Sequence, residues 1–574
     1  MSFILRKAVS LAPVCCAALL MANAAAAQSL PCPPVQIQRL IPACQDRGTF
    51  GESVSVLNDR LAVGRYDSRG GRVTIHSLDP ANRIWKFEAD LRPTDLNTFD
   101  AFGQTVAMHY DAPRDRWLLA AGSPSKSNLA QSAGKAYVYV LDAQGRWIEQ
   151  AGVLPHITLP YEWFGRSVTW ATASERTFLI VGAPGSPDLG VVGSVYIFEQ
   201  DLQGIWRQQA HLQASDGVPD NGFGRSLSAA EHDDETILLV GAPACQSVPE
   251  GPVGAAYAYR FDRVSEEWVL EATLKAHVPV PCDRFGSDVT VVGLNDTPDA
   301  THRIAIGARG ENRNGSSLGP GGVYIYRRLV GGVWEEETRI PPPVPNPTDI
   351  AFGHSVHFAP DDPNRVLAGA VNSREFGPES GSAYLVERDA TTGQWSANQA
   401  LFGREQDGYD AFAVDVALGS GASADMAVVG ALATQCPGGS QFDAIGAVYV
   451  FDLDPGEPGN CPPPVLTLQK VPDCSGGPGG EIEVRWFQAT PDRRARIAIL
   501  LGRRTGNFVI PDGNSCAGTR LGLGSRDLQV AFIGSAGPFG AGRLVTNVPR
   551  AVCGAHLQLI DITRCKTSNV VRIE

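Results

Sequence analysis

Ionisable and nucleophilic side chains are plentiful in this chain, yet few stand at spacings that define a reaction. His354 and His357 are three residues apart, and on a strand such residues point to opposite faces, so one metal ion cannot take both without a bulge. No His-Glu-x-x-His pair or Walker phosphate loop occurs, and no strand-to-helix turn of the kind a nucleophile elbow needs is evident in the pattern. Carboxylates are numerous but none is singled out by spacing, so an acid/base pair would have to assemble from distant parts of the chain. Cys15 and Cys16 sit near the N-terminus, which leaves ten of the 12 cysteines beyond it, with no Cys-x-x-Cys pair among them. An even number of that kind favours disulfides in an oxidising compartment over thiol chemistry or a zinc site. Short separations suggest Cys32 with Cys44, Cys245 with Cys282, and Cys553 with Cys565.

The N-terminus explains the compartment. Arg6 and Lys7 precede an apolar run from Ala8 to Ala22 and the small residues Ala24 to Ala27, the pattern of a secretory signal peptide over residues 1–27. No later segment is apolar over the roughly 20 residues a membrane span needs, so a secreted, periplasmic or cell-surface protein without a membrane span is expected. Its net charge of −13 and the lack of interleaved aromatic platforms argue against a nucleic-acid partner.

What must position any site is a repeat. Seven starts align at Phe50-Gly51, Phe102-Gly103, Phe164-Gly165, Phe223-Gly224, Phe285-Gly286, Phe352-Gly353 and the degenerate Phe412-Ala413, at spacings of 52, 62, 59, 62, 67 and 60. Each start opens a short strand. A second, apolar strand then ends in a glycine turn, as in Val181-Gly182-Ala183-Pro184 and Val240-Gly241-Ala242-Pro243. The third opens on glycine and alternates aromatic with aliphatic residues, as in Gly193-Ser194-Val195-Tyr196-Ile197-Phe198. The fourth starts near Trp85, Trp147, Trp206, Trp268, Trp334 or Trp395. Four short strands repeated at this period predict an all-β, seven-bladed propeller over residues 33–455, because one four-stranded sheet cannot bury both of its faces alone. The glycines serve turns and close backbone approach rather than phosphate binding. Only six units carry the Trp-led strand, so the last sheet, begun by residues 412–451, is expected to be completed by Val35 to Leu40.

The Phe-Gly, Gly-Ala-Pro and Gly-x-Val-Tyr elements resemble the FG-GAP repeats of integrin α-subunit propellers and their exported bacterial relatives. That resemblance implies a seven-bladed propeller that meets ligands through loops on one rim. Calcium is the one cofactor it implies, held by an Asp-x-Asp-x-Asp-Gly loop between the first two strands of a blade. Here the equivalent turns, including Asn58-Asp59, Asp111-Ala112-Pro113-Arg114-Asp115, His232-Asp233-Asp234-Glu235 and Asp361-Asp362-Pro363-Asn364, lack the alternating carboxylates of calcium coordination. They depart from the family pattern and read as hairpin turns, so no cofactor is expected.

Residues 456–574 differ in character. From Cys461 onward there are 14 Lys and Arg against 8 Asp and Glu, while residues 1–460 carry −19. Strands at Glu481 to Gln488, Arg496 to Leu501, Asp527 to Phe532 and His556 to Ile562 suggest a small disulfide-stapled β-sandwich. Its arginines 493, 494, 496, 503 and 504 are candidates for polyanion contact.

The leading functional expectation is a non-catalytic secreted or surface binding and adhesion protein for an extracellular protein or glycan. Repeat phase places Arg65, Tyr66, Asp67, Lys126, Asp188, Arg309, Asn312, Arg313, Arg374 and Glu375 on its recognition rim. A rival is an exported polysaccharide hydrolase or lyase, and a third is a structural spacer. Convergence of acidic or histidine side chains with perturbed pKa values would mark the enzyme.

Overall fold

The computed structural model describes residues 32–43, 48–127, 130–186, 189–215, 222–243, 253–278, 282–295, 298–311, 319–344, 350–435, 444–456, 461–470, 479–492, 495–510, 516–525 and 528–573. The signal segment, Cys44, Cys245 and Arg493-Arg494 lie outside that set. Among the described residues no helix is long and apolar enough to cross a membrane. The chain divides into two compact units, Gln36–Leu453 and a second made of residues up to Val35 together with Asp454–Glu574.

Gln36–Leu453 is a series of four-stranded antiparallel sheets, and seven are described. The third shows the pattern. Ser167–Ala173, Arg176–Ala183, Ser194–Gln200 and Trp206–Gln213 pair consecutively, with Val168 opposite Val181, Val181 opposite Tyr196 and Tyr196 opposite His211. In the last sheet Phe412–Leu418, Met426–Ala431 and Ala447–Asp452 are joined by Val35–Leu40, which lies beside Ala447–Asp452. The first strands of successive sheets, Thr49–Leu57, Thr105–Asp111, Ser167–Ala173, Ser226–His232, Phe285–Gly293, Phe352–Ala359 and Phe412–Leu418, pack each on the next, and the seventh packs on the first.

The apolar side chains meet between sheets. Leu118, Ala120 and Val138 of the second sheet share a cluster with Phe164, Val168, Val181 and Tyr196 of the third. Phe50, Val63 and Trp85 of the first share another with Met426, Val428 and Val450 of the last. Six of the seven start phenylalanines rest on a tyrosine of their own third strand: Phe102 on Tyr137, Phe164 on Tyr196, Phe223 on Tyr257, Phe285 on Tyr324, Phe352 on Tyr384 and Phe412 on Tyr449, at centroid distances of 5.2 to 5.8 Å. Pairs of this kind add about 0.5–1.5 kcal/mol beyond area burial. The first sheet has Thr74 at the tyrosine's register.

Polar signature residues join the sheets. Ser167 Oγ donates to the Gly224 carbonyl at 2.7 Å, Ser226 Oγ to that of Gly286 at 3.1 Å and Ser355 Oγ to that of Ala413 at 3.0 Å. At the outer edge the tryptophan Nε1 donates to the preceding sheet's fourth strand: Trp147 to Glu88, Trp206 to Gln150, Trp334 to Glu271 and Trp395 to Glu337, at 2.9 to 3.1 Å. Gln38 of Val35–Leu40 acts in kind on the first sheet, exchanging hydrogen bonds with the backbone of Trp85 at 2.8 and 2.7 Å.

The second unit holds a three-stranded sheet of Val465–Lys470, Gly479–Phe487 and Gly542–Pro549, and a four-stranded sheet ordered Gln529–Ser535, Arg496–Gly502, His556–Asp561, Lys566–Arg572. Leu466, Val484 and Trp486 of the first share a core with Ile497, Ile499, Leu557 and Leu559 of the second.

Two expected disulfides are corrected. Cys32 pairs with Cys461 and Cys565 with Cys516, rather than Cys32 with Cys44 and Cys565 with Cys553. Separation in sequence was the wrong guide, because pairing of Val35–Leu40 with the last sheet returns the chain start to the segment that leaves that sheet. Cys282 and Cys553 are also disulfide-bonded, to residues outside the described set.

Candidate functional site

The expected rim residues do not converge. Arg65 is 2% exposed and its Nε lies 3.8 Å from Asp67. The Asp67 carboxylate in turn accepts the backbone N–H groups of Arg69 and Gly71 at 2.9 and 3.2 Å, so it builds the turn after the second strand. Tyr66 is half-buried. Lys126, 1% exposed, donates to Asp100 at 2.8 Å and to the Asp95 carbonyl. Lys126 is satisfied by these partners and the charge of Arg65 is offset by Asp67, which answers the cost of burying the two cations and keeps them from the surface. Glu375 accepts from Ser382 Oγ at 3.2 Å, and Arg374 is exposed beside it. Asp188, Asn312 and Arg313 lie outside the described residues.

The calcium-equivalent turns are likewise occupied by protein groups. Asp111 is fully buried, with Arg116 Nε at 2.8 Å and Thr177 Oγ1 at 3.2 Å. Asp361 accepts the Gly421 N–H at 2.6 Å. In the second unit Arg496, Arg503 and Arg504 are exposed.

Among the described rim candidates, Arg309 alone joins a cluster with residues of other sheets. It stands where two other copies have the proline of Gly-Ala-Pro, and its Nη1 lies 3.0 Å from His354 Nδ1. The residue between Phe-Gly and the following serine or threonine is Glu52, Gln104, Arg166, Arg225 or His354 in five of the seven copies. Cyclic packing of the first strands brings these positions together across the ring. Arg166 and Arg225 repel each other; Arg284 and Arg225 repel Arg309; and all four arginines act on His354. The four arginines and His354 are half-buried, neither sealed in the core nor fully hydrated.

Burial, then the crowding of like charge, pushes Arg225 down to about 9 and Arg309 to about 10, so both remain cations at neutral pH. Burial, then the charges of Arg309, Arg225, Arg166 and Arg284, hold His354 down to about 3. His354 is therefore neutral. With Arg309 donating to Nδ1, its proton sits on Nε2.

Nearby acids are engaged elsewhere. Glu52 accepts Thr49 Oγ1 at 2.6 Å and Gln104 Nε2 at 2.9 Å. Asp288 accepts the Val356 and Val289 N–H groups at 2.8 and 3.0 Å. His357 faces away from the cluster and accepts the Leu418 N–H at 3.2 Å. Among the described residues no carboxylate hydrogen-bonds Arg166, Arg225, Arg284 or Arg309.

Sequence reasoning missed Arg166, Arg225, Arg284 and His354. The signal was present in the repeat alignment, as one position that changes chemistry from copy to copy between two that hardly change.

Residues 206–259 match the FG-GAP repeat model. This chain carries an FG-GAP repeat. The matched stretch runs from the fourth strand of the third sheet through the third strand of the fourth. No curated protein matches the chain. Among solved structures it is similar to the crystal structure of Saccharomyces cerevisiae Sqt1, at 9% identity over 74% of this chain and 99% of that one, with a TM-score of 0.39.

Proposed function

We propose that the seven four-stranded sheets are the blades of one closed, integrin-α-like propeller, that a small β-sandwich follows it, and that the exported protein is a non-catalytic binding protein. Its ligand, an extracellular protein or glycan, docks at the axial end where the Phe-Gly starts converge. The repeat match, the cyclic packing of the first strands and the disulfides support the scaffold and the oxidising compartment.

One observation carries the choice of binding over catalysis. The only histidine in the axial cluster is held neutral, with its Nδ1 engaged by Arg309. A general base needs a pKa near the working pH, whereas this imidazole presents a fixed N–H donor among guanidinium donors. Such a constellation favours holding a ligand over proton transfer at the histidine, and Asp288 and Asp415, which burial raises to about 7 and about 6, have both carboxylate oxygens on backbone N–H groups.

The test is array binding of residues 28–574 to glycans and matrix proteins, with and without calcium, beside a polysaccharide turnover assay. Retention on one class of spots, reduced by Arg225→Gln, is the expected outcome. Polysaccharide turnover without retention would overturn the binding function.

A further inference from the structure

We propose that the axial cluster of Arg166, Arg225, Arg284, Arg309 and His354 is an oxyanion site, which takes a carboxylate, sulfate or phosphate group of the ligand. This rests on the axial end being the ligand site.

The donors come from four successive sheets. Arg166 and Arg225 follow the Phe-Gly pairs of the third and fourth, Arg284 precedes that of the fifth, Arg309 follows the fifth's second strand and His354 follows the pair of the sixth. Four guanidinium groups within electrostatic reach of one another raise the free energy of the unliganded protein, and an anion between them lowers it. Internal structure offsets this charge only in part, through Glu52 on Arg166 and Arg225 and Asp288 on Arg225, and none of the described carboxylates hydrogen-bonds the four guanidinium groups. The nearest acids, Glu52 and Asp288, spend their oxygens on Thr49, Gln104 and backbone N–H groups. Arg309 Nε is buried without a hydrogen-bond partner, a state that costs a protein free energy unless a ligand completes it.

Guanidinium forks match the spacing of two oxygens on one carbon, sulfur or phosphorus atom, and His354 Nε2–H adds a further donor. A spherical halide has no second oxygen for the fork.

The test is calorimetric titration of residues 28–574 with sodium sulfate, sodium phosphate, sodium acetate and sodium glucuronate against sodium chloride at constant ionic strength. Saturable binding of an oxyanion but not chloride is expected, weakened at least about tenfold in Arg225→Gln, as loss of a charge-assisted hydrogen bond requires, and unchanged in Arg503→Gln. Tighter binding of glucuronate than acetate assigns the anion to an acidic sugar; the reverse assigns a free anion. Should Arg225→Gln fail to fold, sulfate protection of Arg225 and Arg309 from phenylglyoxal in the unmodified sequence, with Arg503 unprotected, gives the same answer. Equal response to chloride, or no protection, overturns the oxyanion site. Array retention that survives this outcome leaves the binding function standing, whereas loss of both removes it as well.

Discussion

Substituting Gly430 by alanine tests whether the last and first sheets meet. Gly430 ends the second strand of the last sheet, and a Cβ there would lie 2.0 Å from the Gly51 carbonyl oxygen of the first sheet. Real Cβ contacts essentially never fall below 3.0 Å, so one backbone must retreat by about 1 Å. The same approach recurs within the series, where Gly64 meets Gly103, Gly122 meets Gly165, Gly182 meets Gly224 and Gly307 meets Gly353, all at 1.9 to 2.1 Å. The obstacle is a carbonyl fixed in the neighbouring sheet, not a mobile side-chain end. Overpacking of a tight contact costs about 1–3 kcal/mol, and a backbone obstacle on both sides places Gly430→Ala at the upper end. Gly64→Ala, with its Cβ 1.9 Å from the Gly103 oxygen and otherwise only backbone at 3.0 Å or beyond, as at Gly430, is the internal reference. Thermal unfolding followed by calorimetry should show the two variants destabilised alike. If Gly430→Ala unfolds with the unmodified protein while Gly64→Ala does not, the ring is open at that seam and the closure is wrong.

Acidification should destabilise the fold. Burial holds His76, His109 and His357 down to about 4 and His302 and His354 to about 3. The unfolded chain takes up these protons near the usual value of about 6.5, so their contribution is full above that pH and is lost as pH falls toward 4. Asp288 and Asp415, pushed up by burial to about 7 and about 6, oppose this by retaining protons in the fold. His211 is shifted in the same sense as these histidines and Glu149 and Glu162 in the same sense as the two aspartates. The five large histidine shifts therefore outweigh the carboxylates, and urea midpoints should fall between pH 7.5 and 4.5, less steeply in His357→Gln; a midpoint that rises would refute the balance. Arg328, whose side chain is 3% exposed, holds Glu271 and Glu235 each at 2.6 Å. Arg328→Met should cost about 3 kcal/mol because it leaves the largely buried Glu271 without its guanidinium, while Glu235, 36% exposed, stays hydrated; Trp334→Phe, which removes one hydrogen bond to Glu271, should cost about 1 kcal/mol. Equal losses on denaturant titration would show that the ion pairs do not dominate this seam.

Local chemistry made the repeat legible. Phe-Gly, the glycine turn and the Trp-led strand are short patterns whose physical demands are met within a few residues or by the adjacent sheet, so alternation along the chain carries them. Expected strands from Glu481, Arg496 and His556 agree with Gly479–Phe487, Arg496–Gly502 and His556–Asp561. The rim was not legible. Repeat phase gives loop positions but not partners, and Lys126 and Arg65 look like surface cations until Asp95, Asp100 and Asp67 are placed beside them.

By itself the sequence determined an all-β chain of repeated four-stranded sheets, because periodicity and turn residues act over short spans. Tertiary structure decided the rest. Cys32 reaches Cys461 across 429 residues, and Arg166, Arg225, Arg284, Arg309 and His354 come together only through the packing of successive sheets. Convergence of that kind depends on the angle between one sheet and the next, which accumulates around the ring and is written in no single repeat.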